Sequence, residues 1–414
     1  MEIKMKKSIS LNKIDGGVCA AKGFRAAGIH AGIRKNRDKK DLALIVSEKR
    51  AAAACVYTQN LVKGAPIYVT RDNVADGFAS AVICNSGNAN TCNANGIEIA
   101  EGMCRLTEEY AGIPKNDVVV ASTGVIGQPL DLAPIEGGMK SLVGALSENG
   151  SDDAANAIMT TDTKKKEIAF SFTIGDKECR IGGIAKGSGM IHPNMATMLV
   201  FVTTDTAISP KMLQKALSAD VCDSFNMISI DGDTSTNDMV SVLANGMAEN
   251  AEIGGEGEDF DAFCAALNAV TTHLCRAIAK DGEGATKLLE CNVTGAKDTA
   301  NAKTVAKSVI SSSLFKAAMF GSDANWGRVL CAIGYSGAET DITKIAVDLS
   351  SAVGKIRVCE NGSGVDFSEE AAKEILTEDE ITIDITLGDG AASATAWGCD
   401  LTYDYVKING DYRT

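Results

Sequence analysis

Aromatic residues make up only 5% of this 414-residue chain. No stretch approaches the ~20 uninterrupted apolar residues of a membrane-spanning helix. The first residues, Met1 to Lys7, are basic, but no apolar core of the secretory kind follows them. Neither a membrane span nor an export signal is therefore expected. An excess of positive charge is also missing, since 40 Lys and Arg stand against 54 Asp and Glu, a formal charge of −14. Such a surface repels phosphate backbones and excludes nucleic acid as a partner. The 13 cysteines include no Cys-x-x-Cys pair, which argues against zinc ribbons and redox dithiols, and no metal is expected. Some thiols stand in apolar company, Cys84 after Ala-Val-Ile and Cys331 after Val-Leu, and read as small core residues. Free thiols in this number point to a reducing cytoplasm.

The hydrophobic share of 45% and charged share of 23% are those of an ordinary globular protein. The length is large for one core and suggests two packed units. Short apolar runs alternate with amphipathic stretches, the pattern of an α/β protein. Residues 42–46, 80–84 and 118–121 read as buried strands. Ser209-Pro210 opens a helix burying Met212, Leu213, Ala216, Leu217 and Val221. Another helix spans about 260–279, with Phe263, Leu267, Val270, Leu274 and Ile278 inward, and stops before Gly282. Residues 250–261 read as a polar surface loop, and 295–308 as helical. After that come strands at 345–349, 356–358 and 381–386. The basic run from Arg34 to Lys40 reads as a solvated loop, because Asp38 interrupts it in an acidic chain.

The segment Gly182-Gly-Ile-Ala-Lys186-Gly-Ser-Gly-Met-Ile-His192-Pro-Asn-Met-Ala196-Thr197 is a glycine-rich loop ending in a threonine that opens an apolar strand. It is not a Walker loop, since the order is Lys186-Gly187-Ser188, and His192 spoils a G-x-G-x-x-G reading. A structural turn would account for the glycines alone. The alternative makes Thr197 a nucleophile. A threonine hydroxyl needs an adjacent base, and cleavage of the Ala196–Thr197 bond would supply one as a new α-amine, reference pKa ~7.7–8.0. Thr197 would attack the Ala196 carbonyl, and water would open the resulting ester. The residues alone leave both readings open.

The motif Lys186-Gly-Ser-Gly-Met-Ile-His-Pro-Asn-Met-Ala-Thr-Met-Leu199 closely resembles the self-processing motif of the ornithine acetyltransferase family. Further segments resemble the same family in order: Lys22 to Ala31, Asn85 to Asn90, Ser122 to Gly127, Met159 to Thr163, Asp231 to Asp238, Asp281 to Thr286, Asp323 to Arg328, and Trp397 to Asn409 with Tyr412 to Thr414. The resemblance covers nearly the whole chain.

It implies cleavage between Ala196 and Thr197 and a two-step acetyl transfer. Thr197 takes acetyl from N-acetylornithine and passes it to glutamate, with acetyl-CoA a further donor in some members and no bound cofactor. By the same resemblance Thr123 and Gly124 are the oxyanion donors. Thr160, Lys186, Thr197, Glu283, Asn409 and Thr414 are the substrate-binding residues. Lys186 suits the α-carboxylate shared by both amino acids, and Glu283 suits the α-amine. Asn409 and Thr414 are neutral groups able to tolerate side chains of either sign. The implied fold is a layered α-β-β-α catalytic domain, residues 1–288, with a smaller C-terminal α/β domain, residues 289–414. The implied assembly is an α2β2 heterotetramer of cleaved pieces, working in cytoplasmic arginine biosynthesis. The rival enzyme reading is an aminopeptidase or amidohydrolase with the same self-processing chemistry, water replacing glutamate. Asp231 to Asp238 superficially suggests a calcium loop but lacks its glycine and closing glutamate, and reads as a turn after a strand at 227–230. His192 reads as structural.

Overall fold

The computed structural model describes residues 10–192 and 198–410. Its strands are β1 (Asn12–Ile14), β2 (Phe24–Ile29), β3 (Leu42–Tyr57), β4 (Phe78–Asn88), β5 (Val118–Val125), β6 (Lys166–Ile174), β7 (Lys177–Lys186), β8 (Leu199–Thr204), β9 (Ile228–Ser229) and β10 (Met239–Ala244). Then follow β11 (Leu288–Ala296), β12 (Ala346–Ser351), β13 (Gly354–Glu360), β14 (Ser363–Gly364), β15 (Glu380–Thr386) and β16 (Ala392–Cys399). The helices are α1 (Ala65–Asn73), α2 (Gly96–Ala111), α3 (Ala133–Gly144), α4 (Ser151–Ile158), α5 (Pro210–Asp220) and α6 (Glu258–Lys280). The rest are α7 (Thr299–Ser311), α8 (Ser313–Phe320), α9 (Trp326–Gly334), α10 (Glu369–Thr377) and α11 (Tyr403–Gly410).

The first sheet runs β1-β6-β7-β8-β10-β3-β4-β5, with β2 also paired to β3. Strand β3 carries it between two layers. Its first half pairs with β2 and β4 and its last six residues with β10, with a register shift between Val46 and Ala51. Side-chain alternation along the strands then sorts the core. Val82 and Cys84 of β4 join Leu199 and Phe201 of β8 and Met239 and Leu243 of β10 in one buried cluster between the layers. Their strand neighbours Ala81 and Ile83 face the other way, onto Ile99 and Met103 of α2 and Ile135 and Met139 of α3. Val200, Val202, Val240 and Val242 face Leu213 and Leu217 of α5 and Leu267 and Leu274 of α6. Helices, two strand layers and helices again give the α-β-β-α order that the resemblance implied.

The second sheet runs β14-β13-β12-β15-β11-β16-β9. Its edge strand β9 precedes β10 in the chain and pairs with Trp397 and Gly398 of β16, so the first part of the chain donates a strand to the second sheet. Helix α6 has the length and apolarity to cross a membrane. Instead its Phe263, Leu267, Val270, Leu274 and Ile278 are fully buried in a cluster that also takes in Val293, Val305 and Ile383 of the second unit.

Four details depart from the sequence reading. Residues 295 and 296 still belong to β11, and α7 starts only at Thr299, where the Asp298 carboxylate accepts from Asn301 N–H. The strand read at 227–230 is Ile228–Ser229 alone, since a turn of 3-10 helix occupies Phe225–Met227. The polar loop after Asn250 yields to α6 at Glu258. Cys84 is buried as expected, but Cys331 lies exposed on α9, because the apolar face of that short helix is carried by Val329, Ala332 and Ile333.

Candidate active site

Strand β5 lies parallel to β4, and its last residues reach beyond the sheet core. Thr123 is buried, and Gly124 has φ +131, in register with Gly87. A Cβ on Gly124 would stand 2.3 Å from the Gly87 carbonyl carbon. Only glycine therefore lets the two strand ends approach so closely. Ser122 just before them is held by its hydroxyl, which donates to Asn85 Oδ1 at 2.6 Å.

Thr160 sits in the loop after α4, and the loop is shaped by a buried charge cluster. Asp162 accepts from Thr160 N–H at 2.9 Å and from Gly187 N–H at 2.7 Å. Lys166 lies between two carboxylates, 2.7 Å from Asp162 and 2.6 Å from Asp281. Asp281 in turn accepts from the N–H groups of Thr163 and Lys164. Burial would raise the Asp162 pKa, but the charges of Lys166 and Lys186 with these hydrogen bonds hold it well below the ordinary carboxylate value. Asp162 remains ionised at neutral pH and, through Thr160 N–H and Gly187 N–H, pins the Thr160 loop to the end of β7.

Lys186 is the last residue of β7 and pairs with Leu199 of β8. It is nine-tenths buried, and as Ile184 of the same strand joins the cluster between the layers, so does the alternation point Lys186. Ser188, also buried, shares a 2.6 Å hydrogen bond with Thr161. Its carbonyl accepts from Glu283 N–H at 2.7 Å. The Glu283 carboxylate packs over Gly189, where a Cβ would come within 2.3 Å of it. Glu283 Oε2 accepts from Asn409 Nδ2 at 2.8 Å, which brings α11 to the site.

Thr160, Lys186, Glu283 and Asn409 are thus joined in one continuous chain of contacts. Gly124, next to Thr123, meets the Thr160 end of this chain of contacts across a cleft of about 480 Å³ that Gly124, Thr160 and Thr161 share with Gly87, Gln128 and Arg34. Ala196, Thr197 and Thr414 lie outside the described residues. Met198, the next residue after Thr197, accepts from Met239 N–H at 2.9 Å, so β8 enters the site between β7 and β10.

The basic run is not merely solvated. Lys35, Asn36 and Lys39 line the same cleft, Arg34 donates to Met159 O, and Lys40 pairs with Asp153. The fold bends this loop over the Thr160 turn, which the local charge pattern could not reveal. His192 hydrogen-bonds Ser229 through Nδ1 at 3.0 Å. Burial, and then the charge of Lys307, push its pKa down to about 4, so it is neutral at physiological pH. Asp162, Lys166 and Asp281 carry much of the geometry. Asp162 and Asp281 lay within quoted motifs, but nothing local to Lys166 marked it as their buried partner.

The ArgJ family matches residues 25–414 of this chain. The arginine biosynthesis bifunctional protein ArgJ of Caldanaerobacter subterraneus subsp. tengcongensis is 51% identical over 402 residues, covering 97% of this chain and 99% of that protein. Its Bacillus subtilis namesake is 48% identical over 404 residues, covering 97% and 98%. Among solved structures, the arginine biosynthesis bifunctional protein of Bacillus halodurans is 48% identical with a TM-score of 0.50. It covers 52% of this chain and the whole of that one.

Proposed function

This chain belongs to the ArgJ family, acyltransferases of arginine biosynthesis, and from that premise we propose that it moves acetyl from N-acetylornithine to glutamate through an ester on Thr197. The observation that supports the reading is the cleft shared by Gly124 and Thr160, with Thr160 tied through Asp162 to the residue after Lys186 and, beyond Ser188, Glu283 tied to Asn409. Strand β8, which begins two residues after Thr197, enters between β7 and β10 with Leu199 opposite Lys186.

The chain first cuts itself. Thr197 Oγ attacks the Ala196 carbonyl, the peptide C–N bond breaks to leave an ester, and water hydrolyses it. The α-amine so freed takes the proton from Thr197 Oγ as the latter attacks the acetyl carbonyl of N-acetylornithine. The Thr123 hydroxyl and Gly124 N–H receive the oxyanion, a role worth ~2.7–4 kcal/mol per donor. The amide C–N bond then breaks, the proton passes to the leaving amine, and ornithine departs. The glutamate α-amine attacks the ester carbonyl, and Thr197 Oγ leaves with a proton. Lys186 holds the α-carboxylate, Glu283 orients the α-amine, and Asn409 with Thr414 surrounds the side chain. No cofactor is needed. The Bacillus halodurans chain, matched whole by about half of this one, has the size expected of a processed piece. The two pieces would remain together and pair with a second copy as α2β2.

Incubation with N-acetylornithine carrying a labelled acetyl group should deliver the label to glutamate, and Thr197→Ala should remain a single chain and transfer nothing. Label released only as free acetate would instead identify a hydrolase. Lys186→Met should raise KM for both amino acids, and an unchanged KM would remove its assigned role. Synthesis of N-acetylglutamate from acetyl-CoA and glutamate alone decides whether acetyl-CoA is a second donor.

A further inference from the structure

The segment Asp231 to Asp238, which the sequence presents as a polar turn, touches both halves of the site at once. At its start the Asp231 carboxylate accepts from Met190 N–H at 2.6 Å and Ile191 N–H at 2.8 Å. Thr234 bridges to Ile191, and its hydroxyl donates to His192 O at 2.8 Å. These contacts hold the glycine-rich loop up to His192, the last described residue before the cleavage position.

At its other end stands Asn237, which is buried. Its Nδ2 donates to Ser122 O at 3.0 Å and also to Ala89 O. Its Oδ1 accepts from Thr236 Oγ1 at 2.6 Å and from Thr91 Oγ1. Ser122 immediately precedes Thr123 and Gly124, and Ala89 follows the strand against which Gly124 is registered. Two residues after Asn237, Met239 N–H donates to Met198 O. The segment, with the first residue of β10 into which it leads, therefore ties β5, β4, β8 and the glycine-rich loop to one another. A buried amide with both its acceptor and its donor used is costly to disturb, since each deserted partner loses its hydrogen bond.

We propose that residues 231–238 form a positioning strap that sets the oxyanion donors Thr123 and Gly124 at the correct distance from the nucleophile strand, with Asn237 as its key positioning residue. This rests on the acetyl-transfer reading above. Asn237 reaches the oxyanion donors through the backbone of Ser122, so its effect belongs to the transition state. Loosening it displaces the donors from the developing charge, and a misplacement of about 1 Å costs on the order of 10²-fold in rate.

The test is a double-mutant cycle between Asn237→Ala and Thr123→Ala. It is read as kcat and KM per acetylatable site, counted by the mass of acetylated Thr197 piece. Asn237→Ala alone should lower kcat about 10²-fold with KM little changed. In the Thr123→Ala background it should cost far less, because the group it positions is gone. Thr91→Val, which removes one donor to Asn237 Oδ1 along with the hydroxyl's weaker contacts to Ala89 O and Thr236 Oγ1, should give a smaller kcat loss of the same kind in a protein that folds even if Asn237→Ala does not. Full kcat per site in Asn237→Ala, or losses that multiply independently with Thr123→Ala, would overturn the strap. Should Asn237→Ala fail to fold, full kcat in Thr91→Val would do the same. A wild-type protein that moves no acetyl would instead overturn the reading of the reaction.

Discussion

Single residues divide here into those that do chemistry and those that hold it in place, and the second group is the more exposed to test. Lys166 is fully buried between Asp162 and Asp281. Lys166→Met would leave Asp162 ionised in the interior without its nearest counter-charge, a change that typically costs ~3–5 kcal/mol. Urea unfolding should show that loss, together with a raised KM as the Thr160 loop loosens. Gly124→Ala should abolish transfer while the chain still folds. Its Cβ would sit against Gly87 at a φ of +131, and both strand ends would have to separate. A full-rate Gly124→Ala enzyme would show that the β5 tip is not the oxyanion site. His192 predicts a pH effect on stability. Its folded pKa of about 4 lies below the unfolded value of 6.5. The unfolded chain therefore binds the proton first, and this contribution is complete above pH 6.5 and is lost as pH falls towards 4. Thermal midpoints should fall over that window in the wild type and less steeply in His192→Gln.

Among the elements, α11 shows how a distant segment serves the site. Gly284 has φ +69, and a Cβ there would lie 2.6 Å from Tyr405 N and 2.8 Å from the Asp404 carbonyl carbon. Gly284→Val should push α11 away and separate Asn409 from Glu283. KM for the amino-acid substrates should then rise much more than kcat falls, and steady-state kinetics check that split. Elements were legible in the sequence where one face is buried: the 3.6-residue spacing of α5 and α6 and the apolar runs of β3, β4 and β5 placed their starts within two residues, although β3 runs on to Tyr57, far past the apolar run read at 42–46. Short elements were not. Strand β9 has two residues and exists only because β16 offers it an edge, and α9 turns Cys331 outward against its apolar neighbours. The cleft position of Lys35 and Lys39 and the buried setting of Lys166 depend on contacts more than a hundred residues away in sequence. No local pattern encodes these.

At the scale of the whole molecule, the first sheet folds over on itself through β3, so that the ends of β5, β7, β8 and β10 converge. The second sheet shares the α6 core and contributes α11 at the rim. Because residues on both sides of position 197 are interleaved in one sheet, β7 pairing with β8 along its last six residues, cleavage there should leave the two pieces associated. The intact masses of the purified protein, recorded with and without N-acetylornithine, test this most directly. Two co-purifying pieces are expected, the second beginning at Thr197, with only that second piece gaining one acetyl group when N-acetylornithine is added and losing it when glutamate follows. A single full-length mass in a preparation that transfers acetyl would contradict this, because Thr197 would then have no free amine to serve as its base.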